Sequence, residues 1–201
     1  MAAINKVKEY ISLLPEGKPF AANALRGFAS TENIRQILSR LVQAGELQRV
    51  ARGVFIKLNN LSNLKEQLPS ALEIAETLTH STGETIAIHG AEAARQLQLT
   101  TQVPMRLVFY TNGNTRTLKL ANRTIRLKHT NPSRLIEPRT TTGLAISALR
   151  YLGREQVTTE TIHHIQQRVS TEEFEKLFEL VEQMPAWMAD VFYKYQQERA
   201  R

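Results

Sequence analysis

The sequence predicts an α+β protein with two domains, and three features of the residue pattern support this prediction. Near the N-terminus, apolar residues recur at helical spacing and are followed by two short strands. A basic stretch in the middle alternates with a period of two, which is typical of half-buried strands. Helical spacing returns after residue 142. We therefore expect a helical domain closed by a strand pair, then a domain with a small antiparallel sheet and C-terminal helices.

The clearest predicted helix lies within "STENIRQILSRLVQAG", residues 30–45. Ser30 or Thr31 can accept hydrogen bonds from the free amides of its first turn, and Gly45 can adopt the left-handed conformation that ends helices. The apolar residues between them fall at i, i+3, i+4, i+7 and i+8, which predicts one buried stripe. This stripe consists of Ile34, Ile37, Leu38, Leu41 and Val42.

The elements around this helix have the order of a winged helix-turn-helix. A first helix from Ile4 to Leu14, an extended stretch from Lys18 to Phe20 and a brief helix from Ala22 to Arg26 precede it, and the strand pair "GELQRVARGVFIKL" follows. Two such strands are not stable alone in water, so their apolar residues are expected to close the core beneath the helices. These residues are Leu47, Val50, Val54 and Phe55.

The polar face of the predicted third helix and the strand turn carry the candidate DNA-binding residues. Amide and guanidinium groups match adenine and guanine edges in the major groove, while a basic turn can contact phosphates. Two arginines at one tight turn repel each other unless an anion or an acidic partner lies nearby. The predicted DNA-binding residues are Thr31, Asn33, Arg35, Gln36, Ser39, Arg40, Arg49 and Arg52. A protein-docking module remains the alternative, with the wing arginines facing acidic side chains.

Composition changes after the strand pair and predicts a domain boundary. We expect a winged domain over residues 1–60, a linker at about residues 59–68, and an α+β domain over residues 61–201. Within the second domain, one strand is predicted in "TIAIHG" and three more at 105–110, 116–120 and 124–129. The Asn-Gly pair in "TNGN" predicts a hairpin between the first two of these three. Helices are expected at 72–78, 91–97, 144–152, 160–168, 171–183 and 186–198.

Positive charge is concentrated in two blocks of this chain of 201 residues with net charge +7. Residues 1–60 hold nine Lys and Arg against four Asp and Glu, and residues 93–136 hold eight against none. Concentrated charge focuses potential toward a polyanion such as DNA. Lys119, Arg126 and Lys128 share the outer face of the predicted strands and form a candidate second anion-binding surface for DNA backbone, RNA or an acidic protein. The alternative is a solvated strand face whose charges discourage aggregation.

Residues for enzyme chemistry are scarce, so we predict no enzyme activity, no cofactor and no metal. The chain has no cysteine and a single aspartate, Asp190. His163 and His164 are adjacent and point in different directions on a helix, and no phosphate-binding glycine loop is present. No leader-like or membrane-spanning apolar run occurs, so we expect a cytoplasmic protein without membrane contact.

Two stretches of the chain carry a family resemblance over about residues 1–135. "IRQILSRLVQAGELQRVARGVF" and, more specifically, "IHGAEAARQLQLTTQVPMRLVFYTNGNTRTLKLANRTIRLKHT" resemble bacterial regulators related to the AbiEi antitoxins of abortive-infection toxin-antitoxin pairs. The resemblance implies an N-terminal domain that binds double-stranded DNA of its own promoter, as an inverted repeat, and represses its own operon. It also implies a C-terminal domain that counters a nucleotidyltransferase-like toxin encoded beside it. By position, the contacts would be Asn33, Arg35, Gln36 and Arg40, with Arg49 and Arg52 in the wing. The oligomeric state stays open.

Overall fold

The structure is a computed structural model that describes residues 3–58, 68–120 and 123–200. This part of the chain is mixed α+β, with eight α-helices and two small sheets. The helices are α1 (Ala3–Leu13), α2 (Thr31–Gln43), α3 (Ala71–His80), α4 (Gly90–Gln96), α5 (Thr141–Leu152), α6 (Thr159–Gln166), α7 (Thr171–Glu179) and α8 (Ala186–Arg199). The strands are β1 (Phe20–Ala21), β2 (Leu47–Ala51), β3 (Val54–Lys57), β4 (Ile86–Ile88), β5 (Leu107–Thr111), β6 (Arg116–Lys119) and β7 (Thr124–His129). Short 3₁₀ helices occupy Ala22–Leu25, Pro132–Arg134 and Val181–Gln183.

The chain forms two compact units. The first comprises Met1–Glu84 and Arg116–Ile125, and the second comprises Thr85–Thr115 and Arg126–Arg201. The first unit thus extends past residue 60, where the sequence placed a domain boundary. The predicted linker at about residues 59–68 lies outside the described residues, except for Leu68. Among the described helices, none is both long enough and apolar enough to cross a membrane.

Helix α2 begins and ends at the predicted residues. The Ser30 hydroxyl accepts a hydrogen bond from the Asn33 N–H at 3.4 Å, which caps the first turn. At the other end Gly45 has a φ of +73°, and the Glu46 N–H donates to the Leu41 carbonyl at 3.0 Å. This is the hydrogen-bond pattern of a Schellman motif, which satisfies carbonyls at the end of the helix. The predicted apolar stripe is buried apart from Val42, which is half-buried.

The first unit contains a three-stranded sheet in the order β1-β3-β2, with both strand pairs antiparallel. Leu47 and Phe55 pack into a core with residues of α1 and α2. Because successive side chains of a strand alternate between faces, Val54 and Ile56 lie on the opposite face, where Ile74 of α3 covers them. All four predicted core residues of the strand pair are buried, and the sheet is covered on both faces.

The edges of this sheet have two further features. The β2–β3 register shifts between Arg49 and Ala51, and Gly53 closes the turn with a φ of +80°. Within the same unit, Ala51 forms an isolated antiparallel bridge to Leu120, and Arg116 forms a 2.8 Å ion pair with Glu84. Residues 116–125 thus complete the first unit although they are distant in sequence.

The second sheet has the strand order β4-β5-β7-β6, of which β6 and the start of β7 are grouped with the first unit. Strands β4 and β5 pair antiparallel. The hairpin predicted at "TNGN" is wrong, because β7 lies between β5 and β6 in the sheet. Instead of turning a hairpin, Asn112 accepts a hydrogen bond from the Thr85 N–H through its Oδ1 at 2.8 Å.

Helices α4 to α8 form the main core of the second unit, and α5 lies against α4. Gly90 permits this close approach, because a Cβ at this position would lie 2.4 Å from the Tyr151 Cβ and 2.5 Å from the Ser147 carbonyl oxygen. All predicted helices of this region are present. The helix predicted over 171–183 ends at Glu179 and is followed by a 3₁₀ turn.

A carboxylate from α7 caps α5. Glu173 accepts hydrogen bonds from the Thr142 N–H at 2.8 Å and from the Thr142 hydroxyl. These bonds favour the charged carboxylate, and they hold the pKa of Glu173 below the ordinary value of a glutamate. Folding is therefore linked to ionisation of this group.

We expect this link to make stability depend on pH in the acid range. Because the pKa of Glu173 is lower in the folded chain, its contribution is fully present above the unfolded pKa and is lost as pH falls through the folded pKa. The free energy of unfolding of Glu173→Gln should fall less between pH 7 and pH 3 than that of the wild type. Urea unfolding at several pH values measures this difference. Glu175→Gln, an exposed change on the same helix, is the control; equal pH profiles for both variants would contradict the linkage.

Candidate nucleic-acid interface

The polar residues predicted on the third helix form the solvent-exposed side of α2. Thr31, Arg35 and Ser39 follow one another at i+4 spacing and form one stripe. A neighbouring stripe contains Asn33, Gln36 and Arg40. All six side chains are exposed, so α2 presents hydroxyl, amide and guanidinium groups on one side and its apolar stripe on the other.

The two predicted wing arginines are also exposed, on different parts of the strand pair. Arg49 belongs to β2 and donates from its Nε to the Ala51 carbonyl at 3.3 Å. Arg52 lies in the turn beside Gly53 and is exposed. The hydrogen bond to Ala51 is within the strand and leaves most of the Arg49 guanidinium for other contacts.

A groove of about 730 Å³ connects the predicted helix residues with the predicted wing residues. Five of the eight predicted DNA-binding residues line it, whereas Asn33, Gln36 and Arg40 lie outside its lining. Its lining also contains the buried apolar side chains of Ile34, Leu38 and Phe55. The five predicted residues that line the groove are Thr31, Arg35, Ser39, Arg49 and Arg52.

The groove also includes residues that the sequence analysis missed. Asn23 comes from the short 3₁₀ segment before α2, Arg26 directly follows that segment, and Gln43 extends the stripe of α2 by one turn. The i+4 spacing from Ser39 would have identified Gln43. Arg26 could be assigned only after the fold had placed the 3₁₀ segment beside the turn of the strand pair.

The electrostatic character of the groove is strongly positive. Among the described residues, four arginines line it and no aspartate or glutamate does. Arg35 forms a 3.4 Å ion pair with Glu32, but both side chains are about 70% exposed, at 72% and 68%. An ion pair this exposed contributes only about 0.2 to 1 kcal/mol, so an anionic ligand could replace it at small cost. The arrangement can therefore hold a polyanion along α2 and the strand turn.

The candidate second anion-binding surface is divided between the two units. Arg126 and Lys128 are exposed on β7, and they share one side of this strand while Ile125 and Leu127 are buried on the other. Lys119 on β6 is exposed and is grouped with the first unit. The predicted alternation of buried and exposed residues along β7 is confirmed.

Within the part of the chain that the structure describes, no group of three or more His, Asp and Glu side chains is placed to hold a metal ion. His163 is exposed and its Nε2 lies 3.1 Å from the Gln167 Nε2. The histidine at the end of β7, His129, lies with its Nδ1 2.8 Å from the Gly113 carbonyl oxygen.

A comparison with protein-family models identifies the family of this chain. No curated protein matches the chain. A family model matches residues 6–177, and its description is "Family of unknown function (DUF6088)". This match covers most of the chain, including α2, the strand pair with its arginines, and the second unit through most of α7. The chain therefore belongs to the DUF6088 family.

Proposed function

We propose that this protein is a DNA-binding transcriptional repressor whose N-terminal residues, 1–60, act as a winged helix-turn-helix. The observation that supports the proposal is the groove between α2 and the β2–β3 turn, whose described lining holds four arginines and no acidic residue. In this function α2 would enter the major groove, and the turn would reach the neighbouring phosphates.

The positions of the exposed residues suggest different roles for the β2–β3 turn and for α2. Arg52 lies in an exposed turn, where a guanidinium can pair with a phosphate whatever the base sequence. Arg35, Gln36 and Asn33 are on the N-terminal half of α2, the part of a recognition helix that contacts base edges in helix-turn-helix proteins. We assign phosphate contact to Arg52 and base contact to Arg35.

The resemblance to AbiEi antitoxins extends the proposal. We propose that the chain represses its own operon and acts as the antitoxin against a nucleotidyltransferase-like toxin encoded beside it. An inverted-repeat operator would engage two copies of α2, one in each half-site. The arginine groove lies in the first unit, whereas the resemblance implies that the C-terminal domain counters the toxin. DNA binding and toxin neutralisation would then be separable functions.

A second candidate function is protein docking, and the floor of the groove favours it. Ile34, Leu38 and Phe55 give the groove an apolar floor beneath its arginines, which would suit an acidic segment with apolar side chains. The DNA assays below separate the two functions, because a docking module would bind promoter and scrambled duplexes equally weakly and without dependence on either arginine.

Arg52→Ala should weaken binding to all duplexes. Loss of one phosphate contact is expected to reduce the slope of log affinity against log salt concentration by about one. The measurement is fluorescence anisotropy with a labelled duplex from the upstream region of the gene and a scrambled duplex, at several salt concentrations. Lys6→Ala, an exposed cation on α1 outside the groove, is the control and should leave the slope unchanged. A slope for Arg52→Ala equal to that of the control would exclude the phosphate contact.

Arg35→Ala should instead reduce discrimination between the two duplexes. A side chain that contacts a base edge contributes about 1 to 3 kcal/mol of discrimination, so the affinity ratio of promoter to scrambled duplex should fall by about 5-fold to 150-fold. The same anisotropy assay gives this ratio, with Lys6→Ala again as the control. If affinity for both duplexes falls equally, Arg35 is a phosphate contact and the assignment to a base is wrong.

The antitoxin function predicts that toxin neutralisation does not require the arginines proposed to bind DNA. Cells that express the neighbouring nucleotidyltransferase-like protein should recover growth when this chain is coexpressed from an unrelated promoter. The Arg35→Ala, Arg52→Ala double variant should restore growth as well as the wild type, because neither side chain belongs to the second unit. Growth curves with and without coexpression measure this effect. Failure of the wild type to restore growth would refute the antitoxin function and leave the DNA-binding proposal intact.

A further inference from the structure

The second unit contains a cluster of aromatic rings and cations that the proposed repressor function does not use. The His89 ring lies 4.7 Å from the Tyr110 ring and 6.1 Å from the Tyr151 ring, measured between centroids. These residues come from the end of β4, from β5 and from α5, which Gly90 allows to approach closely. We call the following residues the aromatic-cationic cluster: His89, Tyr110, Lys128, Arg134, Arg150 and Tyr151.

The cations of the aromatic-cationic cluster lack acidic partners. Among the described residues, Lys128, Arg134 and Arg150 form no ion pair with a carboxylate. The Nε of Arg150 has no contact with solvent and no hydrogen-bond partner. Burial lowers the pKa of Arg150, and the neighbouring charge of Arg134 lowers it further. Like charges held together without a counterion favour the approach of an anion.

The neutral polar groups of the aromatic-cationic cluster are also hydrogen-bond donors. The Nδ1 of His89 accepts a hydrogen bond from the Ala91 N–H at 3.3 Å, so the proton of the neutral ring is on Nε2. Burial, with a smaller contribution from the Lys128 charge, lowers the pKa of His89 and so favours the neutral ring. Burial raises the pKa of Tyr110, so its phenol keeps its proton. The cluster therefore offers N–H and O–H groups to an oxyanion.

Aromatic rings beside these donors narrow the class of ligand. The Tyr151 side chain is 46% exposed although it contacts the His89 ring, so part of its surface is open to solvent. Lys128 and Arg134 are exposed as well. Sites for single-stranded nucleic acids combine cations that follow the phosphates with aromatic rings on which bases stack. An acidic peptide would use the cations but would gain little from the rings.

We propose that the aromatic-cationic cluster binds a nucleotide, with its phosphate on Arg134, Arg150 and Lys128 and its base stacked on Tyr151. The nucleotide is either free or part of a single strand, since both present a phosphate next to a base. This site is separate from the arginine groove of the first unit, and its ligand requires no DNA duplex.

The experiment uses the full chain with Arg35→Ala and Arg52→Ala, so that binding through the groove of the first unit is weakened. A labelled oligodeoxyadenylate of about ten nucleotides is titrated by fluorescence anisotropy. Tyr151→Ala and Arg134→Ala are compared with Tyr193→Ala and Arg154→Ala, two matched controls with exposed side chains in the same unit. Thermal unfolding verifies that the variants remain folded. Unlabelled AMP, poly-glutamate and oligonucleotide are each added to compete with the labelled strand, and the three competitors are compared at the same total negative charge.

Tyr151→Ala and Arg134→Ala should each weaken binding about tenfold or more, whereas the two controls should not. Competition by AMP would support a free nucleotide as the ligand, and binding of the strand without competition by AMP would support a nucleotide within a strand. The proposal is overturned if the strand does not bind and AMP does not raise the thermal unfolding midpoint. It is also overturned if Tyr151→Ala behaves like Tyr193→Ala, or if poly-glutamate competes as well as an equal charge of oligonucleotide.

Discussion

The burial of both faces of the β1-β3-β2 sheet is the constraint on which the first unit depends. Leu47 and Phe55 face the core of α1 and α2, whereas Val54 and Ile56 face Ile74 of α3. Each apolar side chain removed from water contributes about 1.5 to 3 kcal/mol. The same packing fixes α2 relative to the β2–β3 turn, and so it brings the arginines of both elements to one groove.

The groove itself adds little to the stability of the fold. Its arginines repel one another, and among the described residues no acidic side chain lines the groove, although Arg35 pairs with the exposed Glu32 outside the lining. Their placement therefore costs free energy that the two-sided core offsets. Because these side chains are exposed, salt screens much of the repulsion. A polyanion bound along the groove would remove this repulsion. The feature that costs stability in the free protein is thus the feature that would drive association.

Local patterns predicted the helices and the exposed side of α2, because caps and apolar spacing act over a few residues. Ser30 and Gly45 bound α2 as expected, and the strand pair closes at Gly53. Tertiary arrangement was less predictable. An Asn-Gly pair normally favours a hairpin, yet β7 takes the position between β5 and β6. Nor does any local signal in α3 show that Ile74 covers the second face of the first sheet. The contribution of Arg26 to the groove depends on the same long-range packing.

The insertion of residues 116–125 into the first unit has a consequence for how this chain is made. Glu84 and Arg116 form their ion pair across 32 residues, and Leu120 reaches its bridge with Ala51 from still farther along the chain. On the ribosome, the β2–β3 hairpin can form from local contacts as soon as it emerges. The first unit, however, is complete only after Arg116–Ile125 has been synthesised, much later in translation. A fragment that stops at residue 84 is therefore an unfinished unit with its β2 edge uncovered at Ala51, and it is a poor substitute for the whole chain.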